Sequence, residues 1–460
     1  MVSTRNFVDY RNKLILAPMV RVGTLPFRLL SLRYGADIVY TEELIDWKLL
    51  KTTRKINEVL GTVDFVDESD GTIVFRTCAE ERERVVLQIG TSCAERALQV
   101  GKLVEGDVAA LDVNMGCPKE FSVKGGMGIA LLNNAENAKN VLKTLVAGLS
   151  IPVTCKIRIF SDIEKTIALV KEFEEIGISA IAVHGRTRQE RPRHKVHADM
   201  IQKVVENLNI PVIANGGSNE IKTHEDIFKF KSSSGASSVM IARAAQWNPS
   251  IFQDAPLLPL DDVIKELLKL SILFDNSPSN TKYCIQMMLR ELQETPRGKK
   301  FLECQTLEEI CEIWELGAYC REKQLEYQER GSIGRRNVIP GKLLQKQDTD
   351  EPAAKKIKMD DDVIERNVAF FRTHYEDVRE LPKSILHAHA LRNFKPIPVY
   401  QTQQQDRLFR TVVAFDKKKY SSLYWEKNKR FAEQGAALVC ILNLGLIDEE
   451  VLIKKGSILQ

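Results

Sequence analysis

Eight short apolar runs punctuate the first 245 residues, and each ends in a polar or glycine-bearing loop. They are KLILAPM (13–19), DIVYTEEL (37–44), VVLQIG (85–90), AALDVNMG (109–116), PVTCKIR (152–158), AIAVHGR (180–186), PVIANGG (211–217) and SSVMIARA (237–244). Between several of them, AERALQVGKLVE, AENAKNVLKTLV, EKTIALVKEFEEIG and MIQKVVENLN carry apolar residues three or four apart, the spacing of one helical face. Near-continuous apolar strands alternating with helices predict a parallel sheet covered by helices. Eight such units predict an α/β fold closed into a (β/α)8 TIM barrel over residues 1–255. A doubly wound open sheet is the competing architecture, and it would carry a GxGxxG turn early in the chain. That turn and the GxxxxGK loop are both missing, and GGMG at 125–128 is too short and wrongly placed for either.

The pattern changes after Pro249. DDVIKELLKLSILFD, TKYCIQMMLRELQ and LEEICEIWELGAYCREKQLEY have helical spacing and almost no strand signal, which predicts a helical domain over 256–333. Residues 334–363 are polar, charge-blocked and poor in aromatics, as in a flexible linker. The linker's KKIK, followed closely by DDD, is weak evidence for a nuclear signal. Order returns over 364–450: a helix LPKSILHAHALRN (381–393), three strand-like runs IPVYQTQ, LFRTVVAF and YSSLYWEK, and a helix KRFAEQGAALVCILNLG (429–445). This α-β-β-β-α order resembles a double-stranded RNA-binding domain.

Charge sharpens that reading. The whole chain of 460 residues carries a net charge of only +4, so any nucleic-acid surface must be local. Residues 381–445 hold eleven Lys/Arg and four Asp/Glu, a net of +7, so RNA attraction is expected to concentrate there. Lys383, Lys418, Lys419, Lys427, Lys429 and Arg430 are the candidate contacts, the last three at a helix N-terminus, where phosphates also meet free N–H groups. The loop TQQQDR lacks the Gly-Pro-His-like pattern that many such domains send into the minor groove. Phosphate contact is therefore expected more than a two-groove grip, with Lys355, Lys356 and Lys358 of the linker enlarging the surface. Arg290, Arg297, Lys299 and Lys300 could add to it, or simply form a solvated helix face. Nine unevenly spread cysteines read as reduced thiols, and no run has the length of a membrane span or secretory signal. A soluble cytoplasmic monomer without membrane contact is the expectation.

The strand ends carry the chemistry. The third run ends at Gln88, the fourth at Asp112, Asn114 and Cys117, the fifth at Lys156 and Arg158, the sixth at His184 and Arg186. The seventh ends at Asn215, Gly216 and Gly217, and the eighth at Arg243. In a barrel these ends converge around one opening. Gly216, Gly217, Ala242 and Arg243 occupy the region where barrels commonly hold a phosphate. Gln88 and Asn215 offer amides to a heterocycle edge, Lys156 a cation to electron-rich ring atoms, and Pro18 and Met19 an apolar wall. Phosphate, heterocycle and cation describe a flavin mononucleotide (FMN) site better than a metal site. His184, His194 and His197 come without HExxH or a carboxylate-rich triad, so no metal is expected. Cys304, Cys311 and Cys320 have no zinc-site spacing and read as core thiols.

DVNMGCPK (112–119) sets Cys117 between a glycine and a proline at a strand end. It could be a buried thiol, a nucleophile with His184 as base, or an acid. Together with LAPMVRVGTLPFR, KGGMG, CKIR, HGR, NGG and ARAA, in this order, the stretch resembles the tRNA-dihydrouridine synthases. The likeness is closest to the eukaryotic type 2 branch, which carries an appended RNA-binding domain.

That resemblance implies an FMN-binding barrel followed by a helical domain, and reduction of uridine to 5,6-dihydrouridine in tRNA. It places flavin contacts on Pro18, Met19, Val20, Gln88, Lys156, His184, Asn215, Gly216, Gly217, Ala242 and Arg243, and the catalytic acid on Cys117. It also implies uridine 20 in the D-loop and NADPH as reductant. The chemistry asks for an acid independently: hydride at C6 leaves charge developing toward C5 and O4, and a proton must reach C5 from the opposite face. A thiol, with an ordinary pKa of about 8.5, is mostly protonated near neutrality. Asn114 is expected to shape the pocket, and Lys124 and Arg186 to approach substrate. The base must leave its stack to be reached. A reductase of free pyrimidines and a noncatalytic RNA-binding protein are the alternative readings.

Overall fold

The computed structural model describes residues 8–330, 338–340, 362–375, 377–405, 408–426, 428–454 and 457–458. All eight expected strands form: β1 (Leu14–Leu16), β2 (Ile38–Tyr40), β3 (Val85–Gly90), β4 (Ala110–Met115), β5 (Val153–Arg158), β6 (Ala180–His184), β7 (Val212–Asn215) and β8 (Ser238–Ile241). Each pairs in parallel with its neighbours, and β1 pairs with both β2 (Ile15↔Ile38) and β8 (Leu14↔Val239). The ring is closed by β2 against β3 (Val39↔Val85), so none of these eight strands is left as an edge, and a short ninth strand, Leu44–Ile45, pairs with the end of β3. β3 is buried along its whole length, which is why its sequence does not alternate.

The barrel interior mixes bulky and small side chains, Ile15, Tyr40 and Met240 against Ala110, Ala180 and Ala182. The outer helices include Ala94–Val104, Ala135–Gly148, Ile163–Ile176, Ala198–Val205 and His224–Ser234. Their ends follow from local chemistry. Thr223 and Asp226 form a reciprocal capping box, and Gly177 stops the helix before it at φ +98°, a left-handed conformation that a side chain would strain.

One element escapes the eight-run pattern. Between β2 and β3, strands Thr52–Asn57, Thr62–Asp67 and Ile73–Cys78 form a separate antiparallel sheet. Phe65 and Phe75 pack within it at 5.4 Å between ring centroids. Beside it lies a buried ion pair: Arg28 Nε donates to Glu81 Oε2 at 2.8 Å, with the two side chains 2% and 0% exposed.

The chain divides into two compact units, 1–276, 280–293 and 311–333 in one, and 277–279, 294–310 and 334–460 in the other. In the first, helical residues after the barrel brace the loop that follows β1: Asn280 Nδ2 donates to the Arg21 carbonyl at 2.6 Å and Oδ1 accepts from Thr24 Oγ1 at 3.0 Å. Arg290 stacks on the Trp247 ring at 4.4 Å. Cys304, Cys311 and Cys320 are all buried.

The second unit shows the expected α-β-β-β-α order: helix Pro382–Arg392, antiparallel strands Val399–Gln405, Leu408–Phe415 and Lys418–Ser422, and helix Lys429–Asn443. Leu386, Val413, Phe415, Tyr420, Ala436 and Val439 belong to its core. Three further strands join this sheet: Val363–Arg366, parallel to Lys418–Ser422, and Tyr424–Glu426, which pairs in turn with Val338–Pro340 inside the expected linker. Lys355, Lys356 and Lys358 lie outside the described residues. Among the described residues, no helix is long and apolar enough to cross a membrane.

Candidate active site

Register sets the candidate residues side by side at the C-terminal rim of the barrel. Gln88 is opposite Asp112, Asn114 opposite Lys156, and His184 lies between Arg158 and Asn215. A line of hydrogen bonds then climbs from the interior to Cys117. Thr154 Oγ1 donates to Asp112 Oδ1 at 2.7 Å, and Gln88 Nε2 donates to Asp112 Oδ2 at 2.8 Å. Asn114 Nδ2 donates to Gln88 Oε1 at 3.0 Å, and Asn114 Oδ1 accepts the backbone N–H groups of Gly116 and Cys117, each at 3.0 Å. Burial lifts the Asp112 carboxyl to about 6. Arg158 Nε fastens the same turn through the Gly116 carbonyl at 3.0 Å.

Cys117 itself is half-buried, and burial, followed by the neighbouring Glu43 charge, pushes its thiol above the ordinary value. Such a thiol holds its proton. Across the register from Asn114, Lys156 has no hydrogen-bond or ion-pair partner among the described residues. Burial, helped by the Arg158 charge, lowers its ammonium to about 8. His184 is held well below the usual imidazole range by burial and then by Lys156, Arg158, Arg186 and Arg243, so it is neutral and unsuited to act as an imidazolium acid.

The strand-7 and strand-8 loops supply the other half of the rim. Asn215 Nδ2 donates to the Met240 carbonyl at 2.8 Å. Gly216 has φ +117°, and a β-carbon there would stand 2.9 Å from His184 Cδ2. Ala242 precedes the short helix Arg243–Trp247, and the Arg243 guanidinium has no hydrogen-bond partner among the described residues. Pro18 and Met19 are half-buried at the end of β1, while Val20 is 46% exposed.

Two residues expected to approach substrate already have partners of their own. Arg186 is 0% exposed and clamps loops together: Nη1 donates to the Gly216 carbonyl at 2.6 Å, and Nε and Nη2 to the His194 carbonyl at 3.0 and 2.8 Å. Lys124 is exposed and pairs with Glu120 at 2.6 Å. Sequence reasoning passed over Glu43 and Ser122, both beside Cys117. The only signal was position, a charged residue just beyond a strand end.

Two cations without a hydrogen-bond partner among the described residues, Lys156 on β5 and Arg243 after β8, with Gly216 following β7 between those strands, suit an anionic group that also presents a ring. FMN has that chemistry, so the residues present fit it. Among the described residues no cluster of three or more His, Cys, Asp or Glu could hold a metal ion.

In the second unit, Lys418, Lys429 and Arg430 are exposed, and the latter two open a helix capped by Asn428, whose Oδ1 accepts the Phe431 N–H at 2.8 Å. Lys383 pairs with Glu433 and lies over the Tyr400 ring at 4.5 Å. Lys419 is half-buried, and Lys427 is outside the described residues.

Comparison with known proteins agrees with this geometry. The profile of the dihydrouridine synthase (Dus) family matches residues 15–302. A tRNA-dihydrouridine(20) synthase [NAD(P)+] of Schizosaccharomyces pombe is 37% identical over 293 residues, covering 62% of this chain and 60% of that protein. The Saccharomyces cerevisiae protein of the same name is 34% identical over 322 residues, 66% of this chain and 83% of that one. A solved dsRBD domain of a tRNA-dihydrouridine(20) synthase is 40% identical over 18% of this chain and 89% of its own, with a TM-score of 0.17. With its family profile spanning the barrel and reaching into the helices beyond it, the chain belongs to the dihydrouridine synthase family.

Proposed function

We propose that this protein reduces a uridine of tRNA to 5,6-dihydrouridine, using FMN and NADPH, with position 20 of the D-loop as its target. The observation that carries the reading is the Cys117 turn: a thiol whose burial favours its protonated form, in a turn held by Asn114, which itself stands opposite Lys156 in the register. Lys156, His184, Asn215, Gly216, Gly217 and Arg243 would hold FMN, with Arg243 and the glycines at its phosphate and Lys156 at its ring. Gln88 would contribute less directly, since both ends of its amide already bond Asp112 and Asn114. Bound there, FMN would supply the hydride, which no side chain can carry.

The chain's own residues do the rest. Cys117 donates its proton to C5 of the uracil while Asn114 fixes the direction of the thiol. Neutral His184 leaves the proton on sulfur, which favours the acid over the nucleophile reading. Lys156 stabilises negative charge beside the reacting ring. The exposed Lys418, Lys429 and Arg430 would meet tRNA phosphates without reading sequence. Lys383, already paired with Glu433, is the weakest of the RNA candidates.

Purified protein should be yellow, with a flavin absorbance spectrum, and should oxidise NADPH faster with unmodified tRNA than with free uridine. Colourless protein that cannot take up FMN would sink the enzyme reading. Equal activity on free uridine would favour a reductase of free pyrimidines instead.

A further inference from the structure

Glu43 faces the reacting thiol, and the reduction as described gives it no task. It follows β2, beside Glu42, which serves a different loop: Glu42 Oε2 accepts the Arg21 N–H at 2.7 Å. The Glu43 carboxyl lies against Gly90 at the end of β3, where a β-carbon would stand 2.8 Å from Oε1 and 3.3 Å from Cδ. There it is within interaction range of the Cys117 thiol and the Ser122 hydroxyl. Glu43 Oε1 and Ser122 Oγ are nevertheless both buried, and neither has an aligned hydrogen-bond partner among the described residues. Ser122 and Cys117 share one confined space, since a β-carbon on Gly128 would lie 2.6 Å from Ser122 Oγ and 2.9 Å from Cys117 Cβ. Three proton-bearing groups are therefore enclosed together at the strand-4 loop, with hydrogen-bonding capacity unused.

An ionised carboxylate oxygen buried without a donor is costly, whereas a protonated carboxyl is less so and has a proton to give. Burial, the largest influence on Glu43, acts in that direction and outweighs Cys117, Ser122 and Lys119, which favour the carboxylate. Resting on the function proposed above, the geometry points to Glu43 as a positioning residue that acts through Cys117, returning a proton to its sulfur after each base reduction, with Ser122 orienting the carboxyl. In the first step the S–H bond breaks as the C5–H bond forms, leaving a thiolate. In the second the Glu43 O–H bond breaks and S–H re-forms, leaving a carboxylate. Water then reprotonates Glu43, and no oxidant or reductant enters. Other charges bear on the pair: Lys119 faces Glu43, and Lys156 and Arg158 face Cys117.

The test compares full-length wild type with Glu43→Gln, which keeps shape and removes the proton donor. Expected is a fall of about tenfold in kcat for tRNA reduction, with KM for tRNA unchanged and the first turnover per enzyme retained. Glu43→Asp should recover part of the loss. Independently of turnover, alkylation of Cys117 by iodoacetamide, followed by peptide mass spectrometry, should shift to lower pH in Glu43→Gln, because the amide cannot ionise as pH rises into a carboxylate that opposes the thiolate. Unchanged kcat with an unchanged alkylation profile overturns the relay. So does loss of the first turnover together with the later ones while flavin reduction by NADPH stays intact. Should Glu43→Gln not fold, Ser122→Ala takes its place, with a smaller fall in kcat expected and an unchanged kcat overturning the proposal. Wild type that reduces no tRNA uridine sinks the function and the relay together. Failure of the relay alone looks different: wild-type turnover stands and Glu43→Gln matches it.

Discussion

The side-chain oxygen of Asn114 accepts the backbone N–H of Cys117 at 3.0 Å, tying the thiol's turn to the top of β4. The same oxygen takes the Gly116 N–H, and the Asn114 amide nitrogen is held in turn by Gln88, itself anchored on buried Asp112. The thiol's aim is thus set by strands β3 and β4 through side-chain bonds and not by the loop alone.

Asn114→Ala should therefore misplace Cys117 without touching the cation side of the rim. Base reduction is expected to fall about 10²-fold, with NADPH-driven flavin reduction near wild type. The orphaned N–H groups should also cost about 1–3 kcal/mol in denaturant unfolding. Parallel loss of both half-reactions would show that Asn114 serves flavin and not the thiol.

Lys156 predicts a pH dependence. Its folded pKa of about 8 lies below its ordinary 10.5, so the native state gives up this proton first as pH rises. Between those values the unfolded chain binds more protons, and the group's contribution makes apoprotein stability rise with pH there. FMN affinity should do the opposite, weakening as pH passes about 8 and the ammonium is lost. Titration of the apoprotein with FMN by fluorescence checks this, and Lys156→Met should flatten the dependence over that range.

The strand-end cluster was legible because buried parallel strands write their interior as apolar runs and leave polar residues only where they emerge. Val85–Gly90 and Ala110–Met115 are of this kind. The sheet over 52–78 was not legible, since Thr52–Asn57 is mostly exposed and mixes charge with isolated apolar residues. Roles set by distant partners were also hidden. Arg186 reads like a rim cation, yet carbonyls of His194 and Gly216 enclose it. Lys383 reads like an RNA contact, yet its partner Glu433 lies fifty residues on. Glu43 sits beside a second glutamate, and nothing local says that one faces a loop and the other a thiol.

The Arg28–Glu81 pair gives the barrel a stability test. Arg28→Ala leaves the Glu81 charge in a site that is 0% exposed. A loss of about 3–5 kcal/mol is expected in denaturant unfolding, far more than for an exposed pair. A change below about 1 kcal/mol would mean that the site admits water.

For RNA, Lys429→Ala with Arg430→Ala should weaken tRNA binding and reduce the slope of log affinity against log salt by about 2. Both side chains are exposed at the start of helix Lys429–Asn443, so folding should be unaffected. Binding measured from low to moderate salt decides it, and an unchanged slope would remove these residues from the RNA surface.

Cys117→Ala tests the central claim most directly, with the two half-reactions followed separately on FMN-loaded protein. Flavin reduction by NADPH should continue at the wild-type rate while dihydrouridine formation in tRNA falls by about 10²- to 10⁴-fold. Undiminished base reduction, or equal failure of both halves with FMN still bound, would contradict the assignment of Cys117 as the acid.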